Sequence, residues 1–311
     1  MKLTKYVILM VVVCMVGMGF AACQNPAGQG TVDTTGSVDV VTSPDDNTEE
    51  DSGVIKLAFN GMSCTASKAD ACTANGNVFT ITKAGTYELS GNLSDGQIRV
   101  QVPKTTEKTN EVVLILNGFS AYSSTTAPMY VVSADEVTIE LAAGTTNRLE
   151  DADTYQLGAA TKPSACLYSS DDLVIRGNGT LLVTGHFKNG IACSNDLRIK
   201  NGTITVKAVN NILKGGDSVT ISGDSRVTLS GGEDGIKTDN EDKTGKGFIY
   251  ILESAKVSIT CSDDALQATQ MITVESPASV TGTAGDSALN CDGQINCAEG
   301  TVNIVEGGGA N

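Results

Sequence analysis

From about residue 172 onward the sequence repeats itself, and the repeat constrains the fold more than any other feature. Each unit opens with an alternating strand whose leading apolar residue is Leu173, Leu197, Val219, Ile249, Ile272 or Ile295. The spacings are 24, 22, 30, 23 and 23 residues, so only the third departs from the period. A second strand starts near Leu181, Ile204, Val227, Val257, Val280 and Val302. In the first five units a short third strand follows near Ile191, Ile212, Ile236, Leu266 and Leu289. Alternation along each strand sends one set of side chains inward and the other outward. Three short strands and three turns in about 23 residues make one coil of a parallel β-helix. A leucine-rich repeat has a similar period, but it requires a Leu/Asn consensus and a helical segment in each unit. Here the apolar positions are mostly β-branched and the connections are Gly, Ser, Thr and Asp.

The expected architecture is therefore all-β: a right-handed parallel β-helix, a solenoid, over residues 54–311. Stacked coils bury their apolar residues in ladders, and each coil leans on its neighbours. Residues 54–162 repeat less regularly but still read as strands, for example Val112 to Leu116 and Val137 to Leu141. They are expected to form an N-terminal cap and the first coils, because a solenoid must hide its terminal core and unpaired edge.

Lys2 and Lys5 precede an apolar stretch from about Val7 to Phe20, too short to span a membrane. It reads as a secretory signal peptide over residues 1–22. The run Phe20-Ala21-Ala22-Cys23 resembles a bacterial lipobox, which places a lipid on Cys23 and the mature protein on the bacterial cell surface. Two or more acyl chains would anchor it stably. Residues 23–53 carry the run Asp45-Asp46-Asn47-Thr48-Glu49-Glu50-Asp51 and read as a disordered acidic tether. With 21 Lys+Arg against 36 Asp+Glu, the chain has no basic stripe for phosphate, which argues against nucleic acid as a partner. Of nine cysteines, Cys64 and Cys72 are close enough in sequence to form a disulfide, and most of those in the repeats read as small buried residues. No Cys-x-x-Cys pair exists to hold zinc.

The turns between second and third strands, at 185–190, 208–212, 231–235, 261–265 and 284–288, should stack on one another. Three consecutive turns carry acids: Glu233 and Asp234, then Asp263 and Asp264, then Asp286. Coils lie about 4.8 Å apart. Carboxylates at that spacing repel unless a cation lies between them, and Ca²⁺ accepts oxygens from neighbouring turns. The 30-residue unit is read as inserting a loop at 239–247 in the same place, with Asp239, Asn240, Glu241 and Asp242. The expected metal ligands are thus Glu233, Asp234, Asp239, Asp263, Asp264 and Asp286, against the plainer reading of solvated turn acids.

Several runs also resemble the β-helical, calcium-containing carbohydrate-binding lipoproteins of bacteria, which are similar to pectate lyases. They are Ile81-Thr82-Lys83-Ala84-Gly85-Thr86-Tyr87-Glu88-Leu89-Ser90-Gly91, followed by Asp95-Gly96-Gln97-Ile98. Leu114-Ile115-Leu116-Asn117-Gly118 and Ile139-Glu140-Leu141-Ala142-Ala143-Gly144-Thr145-Thr146-Asn147 come next, and Asp234-Gly235-Ile236-Lys237 last. The resemblance implies Ca²⁺ in the turns and a polysaccharide partner, polygalacturonate or cellulose. Bound Ca²⁺ would let an acidic protein hold a polyuronate by bridging carboxylates. Trp is absent, so stacking on a flat glycan would fall to Tyr122, Tyr130, Tyr155 or Tyr168. A pectate-lyase-like enzyme is an alternative, with Lys237 next to the acidic turn, or Lys214 or Lys188 on nearby coils, as the base for β-elimination. Lys237 reads more simply as a solvated lysine, and the acid cluster is sparser than in the lyases, so catalysis is not expected. A structural or adhesive surface protein without glycan affinity is a further alternative. His186 is the only histidine and has no triad around it.

Overall fold

The computed structural model describes residues 40–42, 53–158, 160, 162–240 and 244–307. Cys23, the signal segment and the acidic run lie outside the described residues, as do Glu241 and Asp242. Among the described residues every regular element is a β-strand. Nineteen strands form one sheet and ten form another.

The repeat is visible as ladders. First strands pair in parallel through Leu173↔Leu197, Leu197↔Val219, Val219↔Ile249, Ile249↔Ile272 and Ile272↔Ile295. Second strands pair through Leu181↔Ile204↔Val227↔Val257↔Val280↔Val302. Third strands make up the smaller sheet, through Ile191↔Leu213↔Ile236↔Leu266↔Leu289. Each strand thus pairs with its counterpart one repeat away, the arrangement of a β-helix. The inward ladder residues form one continuous apolar core, including Ile199, Ile221 and Ile251.

Two expectations are corrected. The third strand of the second unit begins its ladder at Leu213, not Ile212, because Asn211 takes the turn position aligned with Asn189 and Asp234. Ile212 is nonetheless buried beside it. The described residues of the insertion, 239–240 and 244–247, follow the third strand Ile236–Thr238, so they lie at the opposite end of that strand from the acidic turn. Sequence length alone does not say which of a coil's three turns absorbs an extra loop.

The N-terminal part belongs to the same ladders, with Val112↔Val137 and Val137↔Leu173 in register. Its period is hidden because the first and second strands merge into the continuous strands Gly85–Leu93 and Glu111–Ser123, with a register shift between Leu89 and Gly91. Two antiparallel hairpins precede it, Val54–Gly61 with Ser63–Ala66 and Thr73–Asn75 with Val78–Ile81. The short strand Val40–Thr42 pairs in parallel with Cys64 to Ala66. Cys64 and Cys72 are buried free thiols that hydrogen-bond each other, which pushes the Cys64 thiol up and draws the Cys72 thiol down. Cys166, Cys193 and Cys261 are buried in or beside the core, and Cys291 and Cys297 are half-buried.

Candidate functional site: an acidic edge beside a polar sheet face

The site is built on the turn that leads into each third strand. Two residues before the ladder residue of that strand stand Asn189, Asn211, Asp234, Asp264 and Ser287 in successive coils. Asn189, Asn211, Asp234 and Asp264 are buried. A side-chain oxygen at this position reaches the backbone of the next coil. Asn189 Oδ1 accepts Asn211 N–H (3.1 Å), Asp234 Oδ1 accepts Asp264 N–H (3.4 Å), and Asp264 Oδ1 accepts Ser287 N–H (3.2 Å). Asn211 Oδ1 has no partner. The turns are also stacked by backbone bonds, from Asp263 N–H to Glu233 C=O (2.9 Å) and from Asp286 N–H to Asp263 C=O (3.1 Å).

This stacking brings Asp234, Asp263 and Asp264 together, with one carboxylate oxygen of each within 4.8 Å of the others. Asp234 and Asp264 are only 1% and 2% exposed, whereas Asp263 is open to solvent. The inner carboxylates are held by outward side chains of the third strands. Lys237 Nζ donates to Asp234 Oδ2 (2.8 Å), while Gln267 Nε2 (3.3 Å) and Asn290 Nδ2 (2.6 Å) donate to Asp264 Oδ2. Desolvation pushes the Asp263 carboxyl above its ordinary value, as do the charges of Asp264, Asp234 and Asp286, and Lys237 pulls against them. An all-oxygen donor set of this kind suits a hard cation such as Ca²⁺ better than a thiophilic metal.

The other expected ligands are placed differently. Asp286 is exposed and acts on Asp263 through its charge, outside the three-carboxylate set. Glu233 accepts a hydrogen bond from Asn210. Asp239, carried by the insertion, pairs with Lys214 Nζ at 2.5 Å. The tyrosines expected to offer stacking faces are mostly used internally. Tyr168 is buried against Tyr130, with ring centroids 5.7 Å apart, and Tyr155 stacks on Phe187 at 4.2 Å. Tyr122 remains exposed.

Two features have partners that the sequence reading did not assign. The Asn/Asp ladder was legible as Asn189, Asn211, Asp234 and Asp264 at steps of 22, 23 and 30 residues, following the repeat itself. His186 lies among acids: its Nε2 is 3.2 Å from Glu150, its Nδ1 3.8 Å from Asp153, and its backbone N–H donates to buried Asp151 (2.5 Å). Burial pushes the Asp151 carboxyl up, against the pull of the Tyr155 hydroxyl and that amide.

The chain is 36% identical over 253 residues to a carbohydrate-binding domain-containing protein of Acetivibrio thermocellus, covering 81% of this chain and 86% of the relative. Its fold matches the structure of a polysaccharide lyase-like protein from C. thermocellum, a gadolinium derivative, with a TM-score of 0.76 and 39% identity. That match covers 81% of this chain and 99% of the other. Residues 75–310 match the family described as carbohydrate-binding domain-containing protein, and the chain belongs to that family.

Proposed function

We propose that this protein is a non-catalytic, calcium-dependent binder of acidic, pectin-like or cellulosic plant polysaccharide, displayed on a bacterial surface. The observation that carries the proposal is the convergence of Asp234, Asp263 and Asp264 on one edge of a carbohydrate-binding family member. Two of these carboxylates are buried, and burying like charges side by side is costly unless a cation compensates them. Ca²⁺ would be held by the three aspartates, supplying positive charge where a sugar carboxylate or hydroxyl approaches. In this reading residues 1–22 are removed, Cys23 carries the lipid, and 23–53 hold the body away from the membrane. The coils are right-handed, and the two antiparallel hairpins cap the N-terminal end of the core.

Pull-down on insoluble polygalacturonate and on cellulose, at millimolar calcium and in chelator, tests the proposal. Retention in calcium and release by chelator are expected. Binding to neither polymer would overturn it and favour an adhesive surface protein without glycan affinity. A lyase reading draws on Lys237 beside the acidic edge, but its ammonium is committed to Asp234. Incubation with polygalacturonate at pH of about 7 to 10 is expected to yield no unsaturated product, conditions that would favour a neutral lysine base.

A further inference from the structure

The outward residues of the smaller sheet form a second column, one position after the core ladder. In successive coils it reads Ala192, Lys214, Lys237, Gln267 and Asn290, all in register. Lys214 and Lys237 stand on adjacent strands, each about a quarter exposed. A cleft opens on each side of this pair. The larger, about 490 Å³, is lined by Phe187, Lys188, Val209, Asn210, Lys214 and Glu233, among others. The smaller, about 220 Å³, is lined by Lys237, Asp239, Gln267, Thr269, Asn290 and Asp292.

The composition of the clefts points to a ligand. The larger one presents an exposed apolar side chain, Val209, beside the half-buried ring of Phe187, which is stacked on Tyr155 and has Lys188 Nζ 5.2 Å from its centroid. Three lysine ammonium groups face this surface in a chain of net charge −15.

We infer that the outer face of the smaller sheet, from Lys188 through Lys214 and Lys237 to Asn290, is the polysaccharide track, and that its occupant is a uronate-bearing chain running across the coils. The column spans four coil steps, about 19 Å, long enough to seat several pyranose rings. Lysines at coil spacing match carboxylates repeated along a polymer, while the amides meet hydroxyls and Val209 meets the apolar faces of the rings. Asp239, which pairs with Lys214, is exposed and is displaced when a ligand carboxylate takes Lys214. Asp234 ties Lys237 to the acidic edge, so the track adjoins the proposed calcium site and rests on that reading of the function.

The test is affinity electrophoresis of the protein through gels containing polygalacturonate at fixed calcium. The double variant Lys188→Gln with Lys214→Gln removes two charges whose loss leaves no buried acid unpaired. It is expected to weaken binding at least tenfold. The control Arg226→Gln with Lys256→Gln removes the same charge from a register pair on the larger sheet and is expected to stay within twofold. Lys237→Arg, which keeps the charge, is expected to retain binding, and circular dichroism establishes that each variant is folded. A wild type that binds while the Lys188/Lys214 variant binds equally well overturns the track alone, as does an equal loss in the Arg226/Lys256 control. A wild type that binds neither polygalacturonate nor cellulose overturns the functional reading on which the track rests.

Discussion

Asp264 sits one coil on from Asp234, and its backbone N–H donates to the Asp234 carboxylate at 3.4 Å. The coil stacking therefore places two buried carboxylates in succession, and Asp263 brings a third from the same turn. A parallel ladder repeats whatever the turn carries at the coil spacing, so acids that recur with the period must face one another. The first three predictions concern how that repulsion is relieved.

Calcium bound at this edge binds the folded state and not the unfolded chain. It should stabilise by about 2.7 kcal/mol at a hundredfold excess over Kd. Chelator should lower the melting temperature, and Asp263→Ala with Asp264→Ala should abolish most of that response. Thermal melts with and without chelator, alongside elemental analysis, check it; an unchanged melt with no bound metal would return these acids to ordinary turn residues.

The pH dependence should invert with calcium. Asp263 has its folded-state pKa raised by desolvation and by Asp264, Asp234 and Asp286. A raised pKa means that its favourable contribution is full below the unfolded-state value and is lost as pH rises through the folded-state value. Calcium-free protein should therefore lose stability at this edge as pH rises out of the acid range. Calcium-loaded protein should gain over the same interval, because the ion binds the ionised carboxylates. Melts at a series of pH values in chelator and in calcium read both slopes.

Lys237→Met should destabilise the calcium-free protein by roughly 1–3 kcal/mol, because Asp234 loses this charged donor while remaining buried. In calcium the loss should shrink, since the cation takes over the compensation. Urea melts of the variant in the two conditions give the difference, and equal losses in both would place the ion elsewhere.

Gly282 tests the independence of the coils. It adopts φ +139°, and a Cβ added there would lie 1.7 Å from the Ile259 carbonyl oxygen of the neighbouring strand. Gly282→Ala should cost at least about 1–3 kcal/mol of local strain. In a nearest-neighbour solenoid the damage should stay in the last coils. Hydrogen exchange should accelerate over Leu289 to Glu306 and remain slow around Tyr87 and Leu114.

The sequence by itself determined the coil. Leu173, Leu197, Val219, Ile249, Ile272 and Ile295 recur as strand leaders, and all six fall on one ladder. Periodicity suffices here because a parallel coil pairs each residue with its equivalent one repeat away, so spacing in sequence becomes neighbourhood in space. The same logic brought Asp234, Asp263 and Asp264 together from their positions alone. The tertiary structure decided what the period cannot encode. It placed Asp239 at the far end of the third strand, where it meets Lys214 instead of the acidic turn. It merged strands in Gly85–Leu93 and Glu111–Ser123, so the early coils hide their repeat. It also buried Tyr168 against Tyr130 on the outer face of the smaller sheet and opened the clefts beside Lys214 and Lys237. These depend on how outward side chains and loops pack across coils, and that packing is set by contacts between residues with no fixed offset in the chain.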